Sequence, residues 1–174
     1  MNLLGNLIGA GKGIVVKELA KLVGLSDDKA ISALNLLVPA LSKGLNQNTA
    51  DQSGLESLLD VIRSGNHREY VDNPETLSRN ETIIDGNAIL GHIFGSKDVS
   101  REIAGFVSGK TGIDSETIKK MLPVVAAATM GTIEKEDEET PVSANGGNLV
   151  KKLLSTDDNP GLDAILLLAK GLFN

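Results

Sequence analysis

Cysteine and tryptophan are absent from the 174-residue chain, and aromatic residues make up only 2% of it. Without cysteine there is no disulfide, no thiolate nucleophile and no thiolate metal ligand, which agrees with a reducing compartment. Because aromatic rings are scarce, the core has to be built from closely packed aliphatic side chains, which supply most of the 41% hydrophobic content. Surfaces for aromatic stacking are correspondingly few.

Long apolar runs and an excess of positive charge are lacking as well. The most apolar stretches, around 121–130 and 165–169, are shorter than the about 20 residues that a membrane-spanning helix needs. No basic residues precede the apolar patch after Met1, so we expect no secretory signal, a soluble cytoplasmic chain and no membrane partner. A net charge of -6 and a pI near 4.9 disfavour non-specific phosphate binding, without excluding a local basic face.

Apolar residues recur at helical spacing along most of the chain, between residues that start and end helices. Ser26 and Asp114 are typical N-caps. Gly24 follows an apolar stripe, in the position just after a helix where glycine commonly adopts a left-handed backbone conformation. Asp85 and Asn87 are expected to cap a helix over 88–94. The pattern predicts an all-α fold.

Four short motifs occur twice, in the same order, which indicates a tandem duplication of a helical unit. The pairs are 3–9 with 89–95, 18–20 with 102–104, 36–39 with 120–123, and 54–59 with 161–166. Pro39 and Pro123 fall inside apolar stripes, so each half is expected to contain a proline-kinked core helix. We divide the chain into a first helical unit, a connector and a second helical unit, which could also pack as one domain. Their bounds are 1–65, 66–86 and 87–174.

The composition changes sharply after Ile133. An acidic run over 134–139 is followed by Pro141 and by Gly146 and Gly147, which predicts a charged, flexible linker over 134–147. A calcium loop needs oxygen ligands at fixed spacing and a glycine at its turn, and the acidic run does not have this pattern. We expect the linker to be exposed and mobile.

The connector contains unusual residues that the repeat does not require. His67, Arg68, Tyr70 and Asp72 combine hydrogen-bond donors, an acid and the single tyrosine at the junction of the two units. Clefts between units are common binding places, so these four residues are a candidate interaction cleft. The alternative is a surface loop held by local hydrogen bonds. We expect Tyr70 to be buried and His67 to be at least partly exposed, which would make the junction a structural clamp.

Catalytic groups are few. The only histidines are His67 and His92, and neither comes with a nucleophile or a set of metal ligands. The turn around Gly11 and Lys12 lacks the glycine and hydroxyl spacing of a phosphate-binding loop. The sequence therefore predicts a protein that is not an enzyme, with no catalytic residue, metal or cofactor.

Several glycine- and leucine-rich motifs together resemble a known family. They are the segment GNAILGHIFGSKD at 86–98, MLPVVA at 121–126 and GLESLL at 54–59, with the pairs at 66–67 and 73–74 in order between them. The combination is similar to the YidB-like family of bacterial domains of unknown function and covers most of the chain. The resemblance implies a small all-helical fold, homeodomain-like in one member, and a bacterial cytoplasmic location. It implies no activity and no functional residue.

Two functions from different classes are consistent with these features. The first is an interaction or scaffold protein that self-associates or binds a protein partner through aliphatic helix faces. The second is a nucleic-acid-binding protein, which the homeodomain-like resemblance and the pairs Lys119-Lys120 and Lys151-Lys152 suggest. No helix carries the run of Arg and Lys that recognition helices use, so we favour the first.

Overall fold

The computed structural model describes residues 3–9 and 13–139 of the chain. These ranges contain eight α-helices and one 3₁₀ helix: α1 Leu3–Gly9, α2 Ile14–Val23, α3 Asp27–Asn48, α4 Gln52–Ser64, α5 Glu69–Asp72, the 3₁₀ helix Pro74–Ser78, α6 Asn80–Phe94, α7 Lys97–Thr111 and α8 Ser115–Glu139. No strand occurs in the described part of the chain, so the predicted all-α class is confirmed. None of the helices in these ranges combines the length and apolar character needed to cross a bilayer.

The two longest helices, α3 and α8, begin after the same kind of turn. Gly24 ends α2 with a φ of 69°, and Gly112 ends α7 with a φ of 71°, a left-handed conformation that glycine adopts without strain. Ser26 then accepts a hydrogen bond from the Lys29 amide, and Asp114 accepts one from the Thr117 amide at 2.9 Å. The N-caps that the sequence predicts at Ser26 and Asp114 are confirmed.

The core is one continuous cluster to which both predicted units contribute. Its largest fully buried side chains are almost all aliphatic: Leu7, Leu19, Leu34, Leu37, Leu41, Leu45, Leu77, Ile118, Met121, Leu122, Met130 and Ile133. Glycine brings the helices of this core close together. A Cβ at Gly44 on α3 would lie 2.5 Å from the Ile93 side chain, and a Cβ at Gly86 on α6 would overlap the Pro123 carbonyl of α8.

Pro39 and Pro123 lie inside α3 and α8 respectively, and both helices continue past the proline. Leu37 and Met121, two residues before each proline, are both completely buried. The order of α1, α2 and α3 is also that of α6, α7 and α8, with a proline-containing long helix last in each set. The internal repeat and the kinks stay predictions, and the repeat segment 161–166 lies outside the described residues.

The predicted linker over 134–147 is wrong at its first residues, because α8 runs without a break to Glu139. Glutamate and lysine are good helix formers, so an acidic run can extend an apolar helix as readily as it can end one. Glu134 is only 9% exposed. Residues 140–147 lie outside the described part of the chain. The stretch 66–86, predicted to be a connector, contains α5, the 3₁₀ helix and the first turns of α6.

Candidate functional site

The four residues predicted to form an interaction cleft lie in the turn before α5 and in α5 itself, next to α6 and α8. His67 lies in the turn before α5 and is 4% exposed, so the prediction that it is partly exposed is wrong. His67 can be buried because two neighbouring glycines have no side chain to occupy the same space. A Cβ at Gly65 would overlap the His67 ring, and a Cβ at Gly131 on α8 would overlap the His67 carbonyl oxygen. The histidine is therefore packed into the molecule instead of lying on a surface loop.

The His67 ring lies between two carboxylates from different helices. Its Nε2 is 3.4 Å from Oδ2 of Asp85 on α6, and its Nδ1 is 3.5 Å from Oε2 of Glu134 on α8. The Nδ1 contact does not have the alignment of a hydrogen bond, and we treat it as an electrostatic contact. The two carboxylates therefore lie against opposite edges of the ring.

Each of the two carboxylates accepts a hydrogen bond from a group other than His67. Glu134 accepts a hydrogen bond from the Arg68 backbone amide at 2.9 Å, and Asp85 accepts one from the Tyr70 hydroxyl at 2.9 Å. Tyr70 is partly buried and packs against the core, with its ring 6.2 Å from the His67 ring. Burial and the Asp85 carboxylate raise the pKa of Tyr70 to about 12. At neutral pH Tyr70 is therefore protonated and donates its hydroxyl hydrogen.

Arg68 and Asp72 were expected near His67, but their side chains contact each other and α8. The Arg68 Nε is 2.6 Å from Oδ2 of Asp72, and the Lys135 Nζ is 2.7 Å from Oδ1 of the same carboxylate. The hydrogen bond from Lys135, followed by that from Arg68, lowers the pKa of Asp72. The Lys135 contact connects α5 to α8, and the Arg68 contact holds the same Asp72 carboxylate from the turn before α5.

The structure thus brings together the four predicted residues and adds three that sequence reasoning assigned elsewhere. Asp85 was expected to cap a helix and lies inside α6, while Glu134 and Lys135 were expected in a linker. One signal for Glu134 was present in the sequence: it follows Met130 at a spacing of four, on the buried face of α8. We refer to His67, Arg68, Tyr70, Asp72, Asp85, Glu134 and Lys135 as the junction cluster.

The geometry gives the junction cluster a structural role. Its central histidine is buried, and its polar side chains contact each other across α5, α6 and α8. In the described ranges no group of three or more His, Cys, Asp or Glu residues is arranged to hold a metal ion. A ligand-binding role for His67, Arg68, Tyr70 and Asp72 stays a prediction.

A different feature marks the outer faces of α6 and α7. Gly91 on α6 and Gly105 and Gly109 on α7 lie inside their helices and are exposed. A Cβ added at any of these three positions would meet no atom of residues 3–9 or 13–139 within 4 Å. Ile84, on the same side of α6 as Gly91 at a spacing of seven residues, is 63% exposed. The faces of α6 and α7 therefore carry open glycines and an uncovered isoleucine.

Comparison with known protein families identifies the family of the chain but gives no activity for it. A family described as bacterial proteins of unknown function, DUF937, matches residues 6–136. The chain belongs to this family. The match confirms the resemblance seen in the sequence motifs, since the YidB-like name is consistent with DUF937. The matched DUF937 region includes all of the junction cluster and the open glycines of α6 and α7. No curated protein and no solved structure matches the chain.

Proposed function

We propose that this DUF937 protein is a non-catalytic interaction module that binds a protein partner, or a second copy of itself, through the outer faces of α6 and α7. The observation that carries the proposal is the presence of exposed glycines in open space within these two helices. A glycine inside a helix costs about 0.5–1 kcal/mol relative to alanine, because its backbone loses more freedom on folding.

Three other helical glycines are explained by close contacts inside the molecule. Gly44, Gly86 and Gly131 lie against neighbouring helices or the junction cluster, and a Cβ at each would overlap an atom there. Gly91, Gly105 and Gly109 have no such neighbour among the described residues. A partner helix that packs closely against the backbone would explain why glycine occurs at these positions, since small residues let helices pack at short distance.

The neighbouring residues support a helical partner. Ile84, Ala88 and Gly91 are all exposed and follow one another at spacings of four and three, so they form one stripe along α6. Exposed apolar side chains next to small residues suit a helix-on-helix contact. Charged residues such as Arg101 and Glu102 flank the glycines of α7 and would lie at the polar rim of such an interface.

The test is to fill the open space and follow association. Gly91→Leu and Gly105→Leu place a bulky side chain where the partner would approach, whereas Lys29→Leu adds an exposed leucine on α3 as a matched control. Sedimentation velocity measures self-association, and retention from lysate of the host bacterium measures partner binding. We expect both glycine variants to stay folded and lose association, and the control to keep it. A wild-type chain that is monomeric and retains no partner would contradict the proposal.

A further inference from the structure

An open cleft of 520 Å³ lies where α6, α7 and α8 meet. It is lined by Asn87, Leu90, Gly91, Gly95, Ser96, Lys97, Ser100, Arg101, Lys119 and Leu122. This volume is within the about 300–1,000 Å³ typical of small-molecule sites. The cleft does not include any member of the junction cluster.

The charge of the cleft is opposite to that of the whole chain. Lys97, Arg101 and Lys119 line it and no acidic side chain of the described ranges does, although the chain has a net charge of -6. Asn87, Ser96 and Ser100 add neutral hydrogen-bonding groups to the same lining. The Ser96 hydroxyl oxygen already accepts a bond from the Asp98 amide at 3.0 Å, which leaves its hydrogen free to be donated.

Two of the three cations have carboxylate partners outside the cleft. Arg101 is 2.9 Å from Asp98, and Lys119 is 2.6 Å from Glu116. The side chains of these acids are 79% and 74% exposed, respectively. Ion pairs in such exposed positions contribute little, so an anion in the cleft can compete for both cations.

We propose that this cleft binds a phosphorylated small molecule, with the phosphate held by Lys97, Arg101 and Lys119. A guanidinium fork and ammonium groups are the side chains that bind phosphate oxygens most strongly, and serine hydroxyls add donors. Leu90 and Leu122, which are 6% and 2% exposed, add a small apolar area to the lining for the organic part of the ligand. The proposal concerns a small ligand and goes beyond the protein interaction proposed for α6 and α7, although Gly91 and Arg101 belong to both surfaces.

The test uses the full-length chain and inorganic tripolyphosphate as the probe. Titration is followed by the backbone amide signals in two-dimensional NMR. We expect saturable shifts at Ser96, Lys97, Arg101 and Lys119, and an affinity that falls as salt is raised. Shifts spread equally over distant exposed lysines such as Lys21, or shifts that do not saturate, would overturn the proposal.

Two adjacent lysines provide a matched pair of variants. Lys119 lines the cleft, whereas Lys120 is exposed and does not, so Lys119→Met and Lys120→Met remove the same charge from different places. We expect Lys119→Met to weaken tripolyphosphate binding roughly tenfold, and Lys120→Met to change it by less than about twofold. Arg101→Met serves as a second cleft variant if Lys119→Met does not fold. Equal losses in the Lys119 and Lys120 variants would overturn the proposal.

A phosphate group could also belong to a lipid headgroup, and a competition assay separates the two sources. Vesicles that contain phosphatidic acid are mixed with the protein, with and without tripolyphosphate. We expect no cosedimentation with the vesicles, which supports a soluble ligand. Cosedimentation that tripolyphosphate does not displace would overturn the assignment to a small molecule.

Discussion

At the scale of single residues, the junction cluster shows how one buried histidine is accommodated. Burial of a polar ring costs free energy, and carboxylates close to its nitrogens offset part of that cost. Glu134 and Asp85 each face His67 and also accept a hydrogen bond from Arg68 or Tyr70. The cluster links the chain before α5 to α6 and α8, and so it fixes elements that are far apart in sequence.

Removal of the Glu134 carboxylate tests this role. Glu134→Ala leaves the Arg68 amide without its acceptor and removes the carboxylate beside the buried His67 ring, and we expect a loss of about 1–3 kcal/mol in the free energy of unfolding. Urea denaturation measures it. Glu102→Ala, on the exposed face of α7, is the control and should change stability by less than about 0.5 kcal/mol. Equal effects of the two substitutions would contradict a structural role for the junction cluster.

Asp72 makes the stability of the protein depend on pH in the acid range. Lys135 and Arg68 lower its pKa in the folded state below the ordinary value of 3.8. The folded state therefore holds the ionised form more strongly, and this stabilisation is present above pH 3.8 and is lost as the pH falls through the folded-state pKa. Because the group is about one-third exposed, the effect is small.

The measurement compares wild type with Asp72→Asn in urea across the acid range. We expect wild type to be more stable near neutral pH and the difference to shrink below pH 3.8. A difference that stays constant down to about pH 2 would show that the ionised carboxylate is not its source.

At the scale of helices, glycine has two opposite roles in α6 and α7. Gly86 faces α8 at Pro123, where only a residue without a side chain fits. Gly91, Gly105 and Gly109 face open space, so packing within the described part of the chain does not explain them. The same residue type therefore marks an internal contact in one place and, in our proposal, an external one in another.

Alanine substitutions separate the two roles. In the isolated chain, Gly105→Ala should raise the free energy of unfolding by about 0.5–1 kcal/mol, because nothing opposes the added Cβ and alanine favours the helix. Gly86→Ala should lower it by about 1–3 kcal/mol, because the Cβ would overlap the Pro123 carbonyl. Thermal or urea unfolding checks both signs. Destabilisation by Gly105→Ala would mean that an internal contact at this face exists.

At the scale of the whole molecule, the described helices share one hydrophobic core. Leu7 and Leu34 of the first predicted unit belong to the same buried cluster as Met121 and Ile133 of the second. Helices α1 and α3 both contact α8, and α3 also contacts α6 and α7. The predicted division at 1–65 and 87–174 therefore separates segments that bury each other's apolar side chains. The nucleic-acid alternative stays a hypothesis that this packing does not address.

A shared core predicts cooperative behaviour. We expect unfolding of the full chain to be a single transition that gives the same midpoint by circular dichroism and by tyrosine fluorescence. A fragment of residues 1–65 should have little stable helix, because its apolar faces lose their partners on α6 and α8. A fragment that unfolds cooperatively on its own would instead support two independent units.

Local sequence patterns were sufficient to predict the helical class, the N-caps at Ser26 and Asp114 and the aliphatic composition of the core. These features depend on local spacing and on the chemistry of neighbouring residues, so they can be derived from short segments. The sequence also singled out His67, Arg68, Tyr70 and Asp72 as unusual. It did not predict that the acidic run would continue α8, since glutamate and lysine suit both helices and linkers.

Tertiary structure decided which polar residues are buried and with what they pair. His67 meets Asp85 and Glu134, and the hydrogen bond from Arg68 to Glu134 joins residues 66 positions apart. Such partners come together only when the helices pack, because burial is set by neighbours from other elements and not by local spacing. The basic cleft has the same origin: Lys97 and Lys119 lie on different helices, and the meeting of α6, α7 and α8 places them around one space.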